Sequence, residues 1–297
     1  MSRPADLSII TVNWKVADLV GELLGSIQAN REGLSIEIFV VDNDSGDRIE
    51  DVVAGFRSRS DIPVTFIRNG RNLGFAAANN QAIRRSSGRV VALLNPDARV
   101  MKGALKRMVE WMDAHPRVGI AGPRLLETDG STQRSVRRDP WLSDQILILL
   151  KTHHLWPAAP PFRRYLADGF DYGKEQDVEQ LMGAALFIRR EVFTGIGLLD
   201  ESFFIWFEEV DFCKRARDAG WRVSYVPSAA VVHHGGASFA KAMTLRKQRY
   251  FSGSMRTYFK KHRGAWTGAV LALPVLLGLA AAAMLSLWNN LQKKTKA

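Results

Sequence analysis

The sequence predicts an α/β fold, a mostly parallel twisted sheet with flanking helices, followed by an apolar C-terminal helical segment. Three observations carry that expectation. The apolar runs Leu7 to Val12, Ile36 to Val41 and Arg89 to Leu94 are short and rich in β-branched residues, and each stops at Asn, Asp or Pro, the pattern of strands buried on both faces. Helical spacing fills the intervals, with Val16, Leu19, Val20, Leu23, Leu24 and Ile27 recurring on one face. From Ala265 to Trp288 there is no charged residue, and a helix of that length rises about 36 Å, enough to span a bilayer.

Taken in order, the first strand ends at Asn13 and the second at Asp42-Asn43, so both deliver polar side chains to one edge of the sheet. A helix around Arg48 to Arg59 and a short strand Val64 to Ile67 follow. The loop Arg68 to Gly74 then leads into a helix from Phe75 to Arg85, whose first N–H groups could face a phosphate. Beyond the strand ending at Leu94 come a helix, Leu105 to Asp113, and a strand, Val118 to Ala121. Trp141 to Tyr165 mixes Trp and Leu with Lys151, Arg163 and Arg164, the composition of an interfacial segment or an acceptor-binding flap; a core helix with a surface loop is the alternative. His153 and His154 in it have no companion ligands. Met182 to Ile188 reads as a strand that begins on Gly183 and Ala184, small enough for a ligand to approach the backbone. Strand Arg222 to Val226 precedes Ala230 to Ser238, which carries His233 beside glycines.

Two acidic sites carry chemistry. Leu199 to Trp221 places Glu208, Glu209 and Asp211 directly behind a run of aromatics that includes Trp206. Carboxylates crowded beside rings gain proton affinity, which is how a general base is made. The alternative is the exposed first turn of a helix capped by Asp200 or Ser202. Far upstream, Asn95-Pro96-Asp97 ends a strand; its oxygen donors suit Mg²⁺ or Mn²⁺ bridging to a diphosphate, and a strand-terminating turn is the alternative. His233 would be a third ligand, with a satisfied structural histidine as the alternative. Asp42 could accept the imide N–H of a uracil or thymine, or could cap an Asx turn.

At 297 residues, with 46% hydrophobic and 24% charged content, the chain has ordinary globular composition. The 41 Lys and Arg against 30 acids give a net charge of +11, which suits an anionic membrane surface or nucleic acid. No zinc-finger spacing or RNP-type motif supports nucleic acid, and none is expected as a partner. The single Cys213 excludes an intrachain disulfide and fits a reducing compartment. Nothing at the N-terminus resembles a signal peptide, so the body is expected at the cytoplasmic face of the inner membrane. Lys260 to Arg263 precede the apolar segment and Lys293, Lys294 and Lys296 follow it, so charge gives no orientation. Pro274 and Gly278 permit a kink or a re-entrant hairpin. A homodimer is permitted.

Over residues 7 to 240 the order Thr11-Val12-Asn13, Val41-Asp42-Asn43, Asn72-Leu73-Gly74-Phe75-Ala76 with Asn79, and Asn95-Pro96-Asp97 is followed by a second series. It comprises Gly183 to Arg190, Leu199-Asp200-Glu201, Glu208-Glu209-Val210-Asp211, Gly220-Trp221 and His233-x-x-Gly236-x-Ser238. This ensemble resembles the family 2 inverting glycosyltransferases of GT-A fold, and most of all the rhamnosyltransferase-like branch, whose members often use dTDP-rhamnose and lipid-linked acceptors. The resemblance implies a Rossmann-like nucleotide-sugar-binding half at 1–100, an acceptor-binding half at 101–240 and a membrane-associating region at 241–297. It implies that Thr11, Asn13, Asp42, Asn43, Asn72, Gly74, Asn79, Asn95 and Asp97 bind a dTDP- or UDP-sugar, and that Asp97, Asn95 and His233 hold the metal. Gly183, Ala184 and Trp206 would face a lipid-linked acceptor. Glu209 would be the base, with Glu208 and Asp211 orienting it, the acceptor or the helix. Asn95 stands where the family often has Asp, and Glu209 where it usually has Asp. Galactofuranosyl or mannosyl transfer, or an inactive membrane-associated binding protein, are the rival readings.

Overall fold

A computed structural model describes residues 5–152, 155–235 and 244–294, excepting the side chains of 244 and 285–294. His153, His154, Gly236 and Ser238 lie outside the described residues. The first half is β1 (Leu7–Asn13), α1 (Ala17–Ala29), β2 (Ile36–Asp42), α2 (Ile49–Arg57), β3 (Val64–Arg68), α3 (Phe75–Ile83) and β4 (Val90–Leu94). Then come β5 (Ala98–Val100), α4 (Ala104–Ala114), β6 (Val118–Leu126), β7 (Val136–Arg137), α5 (Leu142–Leu149), α6 (Pro160–Tyr165), β8 (Gln176–Asp177) and β9 (Gln180–Leu181). β10 (Ala185–Arg189), α7 (Arg190–Ile196), α8 (Glu208–Asp218), β11 (Arg222–His233), α9 (Thr244–Arg263) and α10 (Thr267–Lys294) complete the chain.

The main sheet runs β3-β2-β1-β4-β10-β6-β11-β5, with β8 on β11, while β7 and β9 form a separate ribbon. It is parallel through β3, β2, β1 and β4, as the uninterrupted apolar runs require. The second half is mixed. β10 runs antiparallel to both β4 and β6, because the chain enters it at Gly183, on the edge where β4 ends; Asn95 N–H accordingly donates to Ala184 O at 2.9 Å. β11 is one strand from Arg222 to His233, with an irregularity between Val226 and Ala230, and its last residue pairs with Ala98 at the start of β5. The carboxyl ends of β1, β2, β4 and β11 and the amino end of β10 therefore meet.

Two apolar cores cover the two sheet faces, one built with α1, α2 and α4, the other with α3, α7 and α8. A third cluster joins Leu149 of α5, Phe203, Phe207 and Val210 beside α8, Met255, Tyr258 and Phe259 of α9, and Leu271 and Val275 of α10. α10 passes through Pro274 as a continuous helix, so the hairpin that the sequence permitted is not formed. Leu271 and Val275 are buried on either side of the proline and hold both turns in line. Gly278 lies where a Cβ would sit 3.0 Å from Leu149 O, which lets α5 end against the helix. The other face of α10 is bare: Leu273 and Leu276 are each 64% exposed, and in the 150–156 loop Leu155 reaches 87% and Trp156 60%.

Candidate active site

At the meeting of strand ends lies a cavity of about 390 Å³, lined by Asn95, Asp97 and His233 on one side and by Glu208, Glu209 and Trp206 on another. Trp14, Asn43, Asn72, Gly74, Gly183, Ala184, Arg137, Tyr165 and Gln180 also line it. Two acidic sites 112 positions apart in sequence thus face one space.

Asn95 and Asp97 follow directly from β4 and His233 ends β11. His233 Nε2 lies 3.5 Å from Asp97 Oδ1 and 3.4 Å from the Asn95 amide. Its Nδ1 is 2.8 Å from Gln133 Oε1, and the Gln133 amide nitrogen is committed as a donor to Glu127 at 2.9 Å. Gln133 therefore presents its carbonyl oxygen to the ring, which puts the proton on Nδ1 and leaves the Nε2 lone pair facing Asp97. Among the described residues no cluster of three or more His, Cys, Asp or Glu side chains forms a metal cage. The donor set fits a hard cation only as a partial shell of one carboxylate, one imidazole and one carboxamide, completed from a substrate.

The acids of α8 are aimed by an unusual turn. Trp206 and Phe207 both adopt positive φ, 64° and 69°, a conformation that costs bulky residues about 1–2 kcal/mol each. Burial of Phe203, Phe207 and Val210 in the third core holds that turn. Phe207, not Asp200 or Ser202, is the N-cap residue, and it makes no side-chain cap bond; the first turn is buried rather than exposed, with Glu208 only 4% accessible. Glu208 and Glu209 each retain one buried carboxylate oxygen without a hydrogen-bond partner. Burial pushes both pKa values up. For Glu208 the neighbouring Glu209 charge adds to that and holds it well above the usual range, whereas backbone N–H groups, including that of Gly183, oppose the rise for Glu209. Glu208 is thus the harder of the two to ionise, and Glu209 loses its proton first.

Asp211 does not reach the cavity. Fully buried, it accepts hydrogen bonds from Arg215 Nε at 2.7 Å and His262 Nε2 at 2.7 Å, and pairs with Lys261 Nζ at 2.8 Å. Burial would raise its pKa, but these partners outweigh that and hold it below the usual range. Lys261 and His262, which in sequence read as the basic flank of the apolar segment, are thereby turned inward to clamp α9 on α8.

Of the remaining expected residues, Asn43 and Asn72 reach the cavity, but both brace its wall: Asn43 accepts from Asn69 and donates to Gly74 O, and Asn72 accepts from Gly74 N–H. Thr11, Asn13, Asp42 and Asn79 lie behind that wall, all buried. Asp42 Oδ1 accepts from Asn13 at 3.1 Å and from Ser45 N–H at 3.3 Å, the turn-capping arrangement that was its alternative. Thr11 Oγ1 and Asn79 Oδ1 are buried without partners. The first N–H of α3 does not face open space; Phe75 donates it to Phe204 O at 2.7 Å. Arg137, Gln180, Trp14 and Gln133, which bonds His233 from behind, were not anticipated, whereas Tyr165 ends the segment expected as an interfacial segment or acceptor-binding flap. Gln133 and Arg137 belong to the run Gln133 to Arg138, in which no motif or apolar period marks a site.

The family model of glycosyl transferase family 2 matches residues 8–170, and that of glycosyl transferase family group 2 matches residues 172–291. The N-acetylglucosaminyl-diphospho-decaprenol L-rhamnosyltransferase of Mycobacterium tuberculosis is 28% identical over 218 residues, 68% of this chain and 69% of that protein. The low-salt glycan biosynthesis hexosyltransferase Agl10 of Haloferax volcanii is 30% identical over 236 residues, 77% of this chain and 67% of its own. Among solved structures, the mannosyltransferase PcManGT of Pyrobaculum calidifontis, in complex with GDP-Man and Mn²⁺, superposes with a TM-score of 0.58 at 18% identity, covering 95% of this chain and 74% of that one. The fold is GT-A.

Proposed function

We propose that this chain, which belongs to glycosyl transferase family 2 and to its rhamnosyltransferase-like branch, is an inverting transferase that moves L-rhamnose from dTDP-rhamnose to a hydroxyl of a lipid-linked glycan acceptor. The observation that carries the reading is that Asp97 with His233, and Glu209, line one cavity. Residues 1–100 form the donor half, 101–240 the acceptor half and 241–297 the membrane-associating region. The bare apolar face of α10 and the exposed Leu155 and Trp156 support placement against the inner membrane at its cytoplasmic face.

Glu209 has the features of the base. Its free carboxylate oxygen takes the acceptor hydroxyl proton as that oxygen bonds to the anomeric carbon from the face opposite the nucleotide, and the bond to the diphosphate breaks. A raised pKa makes it a stronger proton acceptor than an exposed glutamate, and burial beside Glu209 makes Glu208 the harder of the two to ionise. Asp97, His233 and Asn95 would hold Mg²⁺ or Mn²⁺, which when bound neutralises charge developing on the diphosphate. Gln133 keeps the His233 lone pair directed at that position. Asp211 sets the orientation of α8 rather than touching substrate. Gly183 admits the Glu209 stem, whose Cγ would lie 3.5 Å from an added Cβ.

A thermal-shift panel of dTDP-, UDP- and GDP-sugars with and without Mn²⁺ tests the reading. Stabilisation by dTDP-rhamnose, stronger with Mn²⁺ and worth about 2.7 kcal/mol at a hundredfold excess over Kd, is expected. No response to any nucleotide-sugar would overturn it.

A further inference from the structure

The segment between β6 and α6 is crowded with arginines, and nearly all of them are neutralised. Arg134 pairs with Asp168 at 3.7 Å, Arg138 with Glu179 at 3.9 Å and Arg164 with Asp144 at 2.7 Å. Arg137 differs. Among the described residues no carboxylate lies within 4.0 Å of its guanidinium, and it is the one Lys or Arg lining the cavity.

Its anchoring is one-sided. A single terminal nitrogen donates to both Arg134 O at 2.8 Å and Val136 O at 2.7 Å, which fixes the side chain, while among the described residues no hydrogen bond occupies the other edge of the fork. Alternation along β7 accounts for the placement: Val136 is buried in the core and Arg137, the next residue, lines the cavity. A fixed, half-buried guanidinium with an open edge is suited to a phosphate oxygen pair, which it can bind in a bidentate manner.

The neighbours of Arg137 bear on which phosphate it takes. β7 pairs with β9, Arg137 opposite Gln180, and the residues that follow β9 lead to Gly183, packed on Glu209. The Arg137 and Glu209 charges both act on the Tyr165 phenol, whose pKa burial pushes up to about 12. The same chain segment, between Arg137 and Tyr165, carries the exposed Leu155 and Trp156.

We propose that Arg137 is the acceptor-side phosphate-binding residue of this cavity, gripping the phosphate that joins the acceptor glycan to its lipid while Glu209 faces the acceptor hydroxyl. The inference rests on the transferase reading for its choice of substrate, but not for the binding chemistry. Arg137 here is a binding and positioning group, separate from the proton transfer.

The test uses the full-length protein in detergent, titrated by calorimetry with geranyl diphosphate as the lipid-phosphate probe and, separately, with dTDP in the presence of Mn²⁺. Wild type is compared with Arg137→Met and Arg137→Lys. Loss of a charged hydrogen-bonding partner should weaken geranyl diphosphate about ten- to a hundredfold in R137M, leave dTDP within about twofold, and be partly restored in R137K. If R137M weakens dTDP and spares geranyl diphosphate, the phosphate belongs to the donor and the acceptor assignment is overturned. Unchanged binding of both, or equal weakening of both with a lowered thermal midpoint, removes Arg137 from phosphate recognition. Failure of wild type to bind dTDP would sink the transferase reading, and the geranyl diphosphate titration alone would then decide the role of Arg137.

Discussion

Replacing Asp211 with Asn should damage the fold and not the chemistry, by an amount the structure bounds. The carboxylate is fully buried and faces three donors, Arg215 at 2.7 Å, His262 at 2.7 Å and Lys261 at 2.8 Å. Asparagine keeps the shape but removes the charge, and the guanidinium of Arg215 and the ammonium of Lys261, which can only donate, then face an amide in place of a carboxylate. The Arg215, Lys261 and His262 side chains are 19%, 33% and 10% exposed, so water recovers little of the loss. Breaking a buried pair from one side costs about 3–5 kcal/mol, and that is the expected loss in urea unfolding at pH 7. The pH dependence has a fixed sign. Asp211 titrates below the usual carboxylate range in the fold, so its contribution is present above the unfolded value of about 3.9 and is lost as pH falls through the folded value. The gap between wild type and D211N should therefore be flat from about pH 5 upward and shrink below about pH 4. Lys261→Met, which leaves two partners, should cost less. A D211N loss under about 1 kcal/mol at pH 7 would refute the clamp between α8 and α9.

Three further outcomes follow from the site. Glu208→Gln should be more stable than wild type in thermal unfolding, with a gap that opens as pH rises above the usual glutamate range, because a carboxyl whose folded pKa is raised loses stability as pH climbs from the unfolded toward the folded value. Gly74→Ala should cost about 2–4 kcal/mol in denaturant and weaken nucleotide binding, since φ is +87° and the new Cβ would sit 2.4 Å from Phe204 O; Gly183→Ala, with its nearest contact at 3.5 Å, should fold normally. Asp97→Asn should abolish the Mn²⁺-dependent part of nucleotide-sugar stabilisation in the thermal-shift assay while sparing the metal-independent part, and Gln133→Ala should weaken Mn²⁺ affinity about 10–100-fold.

The parts of this fold that could be read in the sequence are those with a local signal. β1, β2 and β4 are apolar runs with polar stops, and those stops mark the edge where Asn95 and Asp97 now stand. Strand direction has no such signal, so the reversal of β10 was not legible; it depends on where the preceding chain enters the sheet. β7 and β9, two residues each, are too short for periodicity, and with them Arg137 and Gln180 were missed. Asp211 could be seen as part of an acidic cluster, but two of its three partners, Lys261 and His262, lie about fifty positions away on α9 and read as membrane-flanking cations. The Trp206-Phe207 turn that aims Glu208 and Glu209 was equally hidden, because two aromatics at positive φ contradict local preference and are held there only by tertiary packing.

The account stands or falls on Glu209 as the group that deprotonates the acceptor inside the cavity shared with Asp97. Transfer kinetics and calorimetric binding of dTDP-rhamnose with Mn²⁺ should be measured side by side on Glu209→Gln. A fall in kcat of about 10²–10⁴ with donor affinity within about twofold of wild type is predicted. Turnover within about tenfold of wild type at unchanged donor affinity would contradict it.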